Sequence, residues 1–140
     1  MVFHRERTFS PAEFKVFMHA QSLVLGDTLD WVRALARRQT CRLFTLNNES
    51  RELHEDRVRT FQLDEVFRGF LTSCYLGQAK PDEGIYLAAL GIAACPREKA
   101  VFIDDRQLNV EPAHALGLHA VHFRGLDQLR EALHAPGLRA

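Results

Sequence analysis

Four short apolar runs most constrain what this chain can fold into: "CRLFTL" (41–46), "GFLTSCYL" (69–76), "KAVFI" (99–103) and "LHAVHF" (118–123). They are short, rich in aromatic and β-branched residues, and bounded by turn-forming residues, which reads as buried strands. Helical signals fill the intervals. The polar stretch from Ser50 to Thr60 reads as an exposed helix, with "LDEVF" as a further turn. "EGIYLAAL" reads as a helix stopped by a left-handed cap at Gly91, after the loop "GQAKPD". Another helix follows Asp105 and ends at Gly117, with Asn109 as its N-cap and Pro112 in its first turn, where a missing N–H costs little. "LDQLREAL" is the last helix. Strand and helix in alternation spell an α/β fold, with a parallel, Rossmann-like sheet and flanking helices.

Two helices precede the first strand. The first element opens at "FSPAEFKVFMHAQS", with Ser10 as N-cap, Pro11 at the first helical position and Glu13 completing a capping box, and Phe14, Phe17 and Met18 keep helical spacing. "GDTLDWVRALARR" carries an apolar stripe at Leu29, Val32, Leu35 and Ala36. A length of 140 residues fits one domain with a real core. Within it, 1–38 is a helical portion, 39–134 the Rossmann-like core and 135–140 a fraying tail.

Charge narrows the function classes. Eighteen basic residues balance eighteen acidic ones, so no global field favours nucleic acid or an anionic membrane. The chain contains no apolar stretch long enough to span a bilayer and no signal pattern, so a soluble cytoplasmic domain is expected. Cys41, Cys74 and Cys95 are odd in number, far apart and without a CxxC, which reads as buried free thiols rather than a disulfide framework or zinc site.

In a parallel sheet, function gathers in the loops at the carboxyl ends of the strands. Thr45, Asn47 and Asn48 stand at the end of the first strand, Lys80 in the loop after the second, and Asp104 and Asp105 after the third. Adjacent carboxylates repel unless a cation is present. Carboxylates supply the hard oxygens that Mg²⁺ prefers, lysine neutralises phosphate charge, and amides and hydroxyls donate to phosphate oxygens. The set therefore suits a phosphate bound beside a divalent metal.

The order Asn47–Asn48, then "KPDEGIY", then "VFIDDRQLNVEPAHALGLHAVHF" resembles the haloacid dehalogenase-like hydrolase superfamily. The likeness runs from about Leu29 to Leu133 and is closest to small phosphatase-like or dehalogenase-like members with a helical cap. It implies that Lys80 stabilises the phosphate and the covalent intermediate, that Asp105 is the direct Mg²⁺ ligand with Asp104 supporting it, and that Asn109 opens the following helix. Relatives usually carry Ser or Thr followed by Asn where this chain has Leu46–Asn47. Asn47 and Asn48 are then the phosphate donors, with Thr45, on the same strand face as Asn47, as the fallback hydroxyl. The substrate implied is a small phosphorylated molecule. The histidines match no family motif and form no metal-ligand spacing.

The family's mechanism, as the resemblance implies it, is covalent: an aspartate attacks phosphorus and water hydrolyses the aspartyl-phosphate. Nucleophile and acid–base residue belong to an Asp-x-Asp motif on an early strand. Upstream of Asn47 this chain offers only Asp27 and Asp30, spaced by three rather than two. They read instead as N-cap and N3 acid of the second helix. The chain thus resembles a member lacking the central nucleophile strand, with a helical cap remnant at its start. The strands "CRLFTL" and "KAVFI" would then pair directly or leave unpaired groups mid-sheet, and a homo-oligomer covering that edge is expected. Two readings follow: a truncated form of a Mg²⁺-dependent phosphate-monoester hydrolase, or a non-catalytic phosphate- or metal-binding or interaction module derived from one. Receiver domains use a similar residue set, but with the acidic pair early and the lysine late, the reverse of this order.

Overall fold

Helices and strands alternate as α1 (Pro11–Ala20), α2 (Gly26–Arg38), β1 (Phe44–Asn47), α3 (Arg51–Phe61), β2 (Gly69–Thr72), α4 (Ser73–Leu76), α5 (Glu83–Ala93), β3 (Val101–Asp104), α6 (Gln107–Ala115), β4 (His119–His122) and α7 (Leu126–His134). Short 3₁₀ turns at Leu63–Glu65 and Arg97–Lys99 lead into β2 and β3. The computed structural model describes residues 10–23 and 25–134, so the start of the helical portion and the tail at 135–140 lie outside the described residues.

The four strands form two separate sheets. β1 pairs in parallel with β2, Phe44 opposite Gly69 through Asn47 opposite Thr72, and β3 pairs in parallel with β4, Val101 opposite His119 through Asp104 opposite His122. Of the two arrangements left open by the sequence, direct pairing of β1 with β3 is the one not adopted. A cavity of about 590 Å³ lies between them, bordered by strand residues such as Leu46 and Ile103 and by helix residues such as Leu35, Leu90 and Leu133.

Packing is densest around β3 and β4. Ile85 and Tyr86 of α5, Phe102 of β3, Ala113 of α6 and Leu118 form one buried cluster, against which Leu46 of β1 also packs. Val121, Leu129 and Leu133 form a second cluster, joined by Trp31 of α2. The Tyr86 ring meets Phe102 edge-on at 5.2 Å, a favoured aromatic geometry.

Several element boundaries differ from the sequence reading, each for a local reason. The capping box of α1 forms as expected, Ser10 N donating to Glu13 Oε2 at 2.7 Å and Glu13 N to Ser10 Oγ at 3.2 Å. Asp27 is not the N-cap: that position is Leu25, two residues earlier, the helix opens at Gly26, and Asp27 sits in its first turn, where the helix dipole still favours it. Asp30 lies further in, 3.4 Å from Arg33 Nη1. The run at 41–46 becomes strand only from Phe44. The run at 69–76 is strand only to Thr72, because the Ser73 hydroxyl accepts from Glu49 N at 3.1 Å and draws the chain into α4.

Gly91 does not end α5, which continues to Ala93 and closes on Ala94 in the left-handed region, two residues ahead of Pro96. Asn109 is the third residue of α6 rather than its N-cap, and Pro112 lies inside the helix rather than in its first turn. The cysteines are free, but Cys74 on α4 is exposed and Cys41 and Cys95 are only partly covered, so none of the three is a buried thiol.

Candidate phosphate and metal site

The carboxyl ends of both half-sheets meet at Lys80. Its Nζ donates to Asp104 Oδ2 at 2.6 Å, and both side chains are nearly buried, at 10% and 6% exposure. Asn48, just beyond β1, holds the same residue by its backbone: Nδ2 donates to the Lys80 carbonyl at 2.7 Å, and Lys80 N donates to Asn48 Oδ1 at 2.9 Å. One lysine therefore ties the end of β1 to the end of β3.

Asp104 organises its own surroundings. Its Oδ1 accepts from Arg106 N at 2.9 Å, a local turn typical of aspartate, and from Asn109 Nδ2 at 3.0 Å. This explains why Asn109 does not cap α6: its amide is drawn back to the strand-end carboxylate, and the helix starts ahead of it. Burial alone would push the Asp104 carboxyl up. The Lys80 ammonium, the Arg106 N–H, the Asn109 amide and the Lys80 charge together outweigh burial and hold it below the usual carboxylate range. Nearby, burial and then the charges of Asp104 and Asp82 push the Tyr86 phenol up to about 12, so it stays protonated and donates to the Asn109 carbonyl at 2.8 Å.

The remaining sequence candidates are placed differently. Asp105 is exposed, and its carboxylate has no ion pair or hydrogen bond to the described residues, while its carbonyl lies 3.0 Å from His122 Nε2. The Asn47 amide faces Glu49 Oε2 at 3.4 Å. The Thr45 hydroxyl is buried without a hydrogen-bond partner among the described residues.

A group that the sequence reading missed backs Asn47. The Glu49 carboxylate, at 8% exposure, is ion-paired with Arg57, and Arg57 Nε donates to Ser22 Oγ at 3.1 Å. Buried His54 lies 3.6 Å from Glu49 Oε2 and 3.4 Å from Thr72 Oγ1. Burial lowers the His54 pKa, partly offset by Glu55, so the ring is neutral near pH 7. Only the position of Glu49, directly after the Asn pair, could have hinted at this group in the sequence.

Among the described residues no cluster of three or more His, Cys, Asp or Glu could hold a metal. Mg²⁺ needs less than that, since it keeps several waters and is often held by one or two carboxylates plus a substrate phosphate. The free Asp105 carboxylate beside Asp104 meets that minimum, so the donor chemistry fits. No described helix is long and apolar enough to cross a membrane.

A parallel α/β fold thus carries a lysine and two aspartates at its strand ends. The sequence model of the haloacid dehalogenase-like hydrolase family matches residues 4–117, and the chain belongs to that family. It is 35% identical over 66 residues to flavin mononucleotide hydrolase 1 of Arabidopsis thaliana, a match covering 47% of this chain and 27% of that protein. The chain thus spans about a quarter of the curated relative it matches. A Corynebacterium glutamicum protein superposes with a TM-score of 0.70 at 27% identity, covering 85% of this chain and 89% of that one. A haloacid dehalogenase family enzyme of Bacteroides thetaiotaomicron shares the fold, with a TM-score of 0.71 at 23% identity over 86% of this chain and 63% of that one. An aspartate-to-alanine variant of that enzyme is known in complex with magnesium and inorganic phosphate.

Proposed function

We propose that the strand-end site recognises the phosphate group of a small phosphorylated molecule together with Mg²⁺, and that residues 1–140 alone do not hydrolyse it. The observation that carries this reading is Lys80, a nearly buried ammonium fixed by Asn48 and Asp104 at the meeting point of the strand ends. Held there, it supplies positive charge with little rotamer entropy left to lose on binding an anion. Mg²⁺, when bound, would neutralise phosphate charge, with Asp105 as the residue to hold it and Asp104 supporting. Asn48 positions Lys80, and Asn47, held against Glu49, lines the phosphate side. The buried Thr45 hydroxyl is the reserve donor to that side.

Turnover in the covalent mechanism needs an attacking carboxylate, and no Asp-x-Asp occurs in the sequence. The matched flavin mononucleotide hydrolase makes flavin mononucleotide the first substrate to test. With Mg²⁺ present, the purified chain should release phosphate from flavin mononucleotide no faster than its Asp105→Asn variant. Flavin mononucleotide should still raise its melting temperature, an effect lost in Lys80→Met. Phosphate release well above the variant would overturn the inactive reading, and equal stabilisation of Lys80→Met would overturn the site. Inactivity with no phosphate-dependent stabilisation would leave the interaction-module reading in its place.

A further inference from the structure

Another cavity, of about 500 Å³, opens among α3, the turn at Leu63–Glu65, β2 and α4. None of Asn47, Asn48, Lys80, Asp104 and Asp105 borders it, so it is separate from the strand-end site. His54 of α3, Phe70 of β2 and Tyr75 of α4 supply its rings. His54 meets Phe70 edge-on with centroids 5.2 Å apart, and Tyr75 in the same way at 5.7 Å. Glu55 of α3 and Asp64 and Glu65 of the turn supply three exposed carboxylates.

His54 gives the cavity its polarity. The residue is only 5% exposed, and its Nδ1 lies 3.4 Å from Thr72 Oγ1 and 3.6 Å from Glu49 Oε2, neither residue bordering the cavity. The Glu49 carboxylate draws the ring proton to Nδ1, so Nε2 keeps its lone pair. Nε2 bonds to none of the described residues and lies on the edge of the ring left for the cavity. A buried acceptor without a donor is an unmet demand. The surrounding charges agree. The Asp64 and Glu65 carboxylates have no ion pair or hydrogen bond to the described residues, and Glu55 Oε1 accepts from the Tyr75 phenol at 3.4 Å. Gln62 adds a neutral amide, and Arg59, the cation at the rim, is exposed and paired with Asp56 Oδ1 at 2.9 Å. The cavity therefore offers lone pairs, negative charge and rings to whatever enters it.

Those features select a cation that carries N–H donors. The face of an aromatic ring attracts cations, guanidinium more often than ammonium. This chain displays the attraction itself: Arg51, which does not border the cavity, holds its Cζ 5.5 Å from the Tyr75 ring centroid. A guanidinium is planar, stacks on rings and presents a fork of donors to carboxylates, which a compact, strongly hydrated ammonium does not. We propose that the cavity binds a guanidinium group, carried by an arginine of a partner polypeptide or by a small guanidino compound. Tyr75 and Phe70 pack against it, Glu55, Asp64 and Glu65 balance its charge, and His54 Nε2 accepts one N–H. The proposal does not rest on phosphate binding, and its test is run without phosphate or Mg²⁺.

The test is an NMR titration of the full chain at fixed ionic strength. The probes are ethylguanidinium, N-acetyl-glycyl-arginyl-glycine amide and tetramethylammonium, which has the charge but no N–H. Ethylguanidinium should shift the His54, Phe70 and Tyr75 signals saturably at millimolar concentration and leave those of Lys80 and Asp104 unmoved. Tetramethylammonium should bind at least about fivefold more weakly. The variant Glu55→Gln/Asp64→Asn/Glu65→Gln, changed only at exposed positions, should weaken ethylguanidinium binding at least about tenfold, and Tyr75→Leu about threefold. Glu55→Gln alone, with a loss of about threefold, serves if the triple variant does not fold. Tighter binding of the peptide than of ethylguanidinium assigns the group to a partner polypeptide, and equal or weaker binding to a small compound; either upholds the site. No shift at these residues in a folded chain, equal binding of tetramethylammonium, or a folded carboxylate variant that binds as tightly as the parent would overturn the proposal.

Discussion

The two half-sheets are built differently. Around β3 and β4 the structure rests on apolar packing, with Ile85, Tyr86, Phe102, Ala113, Val121 and Leu129 all buried. Each half also buries two polar residues, Asp104 and Asn109 in this one and His54 and Thr72 in the β1–β2 half, but there Leu71 and Val66 are the only buried apolar side chains among the described residues. One half is a conventional core. The other leans on the Glu49 carboxylate, ion-paired with Arg57 and flanked by the neutral His54 ring, and on Asn48 gripping Lys80. Apolar packing tolerates changes of pH, whereas buried polar networks do not, so acid should separate the halves.

The largest effect is expected where the halves are joined. Asp104→Ala leaves the Lys80 ammonium nearly buried and unpaired and should cost about 3–5 kcal/mol in urea unfolding, with the double variant Lys80→Met/Asp104→Leu recovering part of it. A loss below about 1 kcal/mol would mean that the pair does not fasten the halves together. Next, Ile85→Ala in the dense half should cost about 2–5 kcal/mol, and Leu46→Ala in the sparse half clearly less, because a half-buried site loses less transfer free energy and leaves a smaller new cavity. Equal costs would erase the distinction between the halves.

Acid should also act on the two halves unequally. The folded His54 pKa is below its ordinary value of 6.5, so the unfolded chain binds its proton first, and stability is lost as pH falls below about 6.5. The Asp104 pKa is below its ordinary 3.8, so its contribution is full above that value and lost as pH falls through it. Hydrogen-exchange protection, corrected for the intrinsic pH dependence of exchange, should therefore fall in β1 and β2 between about pH 7 and pH 5, before β3 and β4 respond, and His54→Phe should flatten the early change. The smallest effect lies outside both halves: Ser10→Ala removes the capping box and should fray α1 by about 1 kcal/mol, seen in its own amides and not in global unfolding.

Elements with strong local signals were legible in the sequence. The capping box at Ser10, the helix after Ser50, the β-branched run ending at Asp104 and the meeting of Lys80 with Asp104 follow from propensity and from the rule of strand ends. What escaped was set by contacts distant in sequence or by competition between neighbours. The Ser73 hydroxyl bends the chain out of strand because Glu49 is there to bond it. Asn109 would make a good cap, but Asp104 claims its amide. Gly91 would make a good stop, but the chain runs on to Ala94 and ends ahead of Pro96. The separation into two sheets is likewise absent from local signals, since strand pairing is decided between segments rather than within one.

The central claim is that the strand-end site takes phosphate with Mg²⁺ through Lys80 and the aspartates. Calorimetric titration of inorganic phosphate into the intact chain, with and without Mg²⁺, tests it most directly. Saturable binding that tightens with Mg²⁺, weakens at least about tenfold in Lys80→Met and loses its metal dependence in Asp105→Asn is the predicted result. Binding that is unchanged in both variants, or absent from a folded chain at millimolar phosphate, would contradict it.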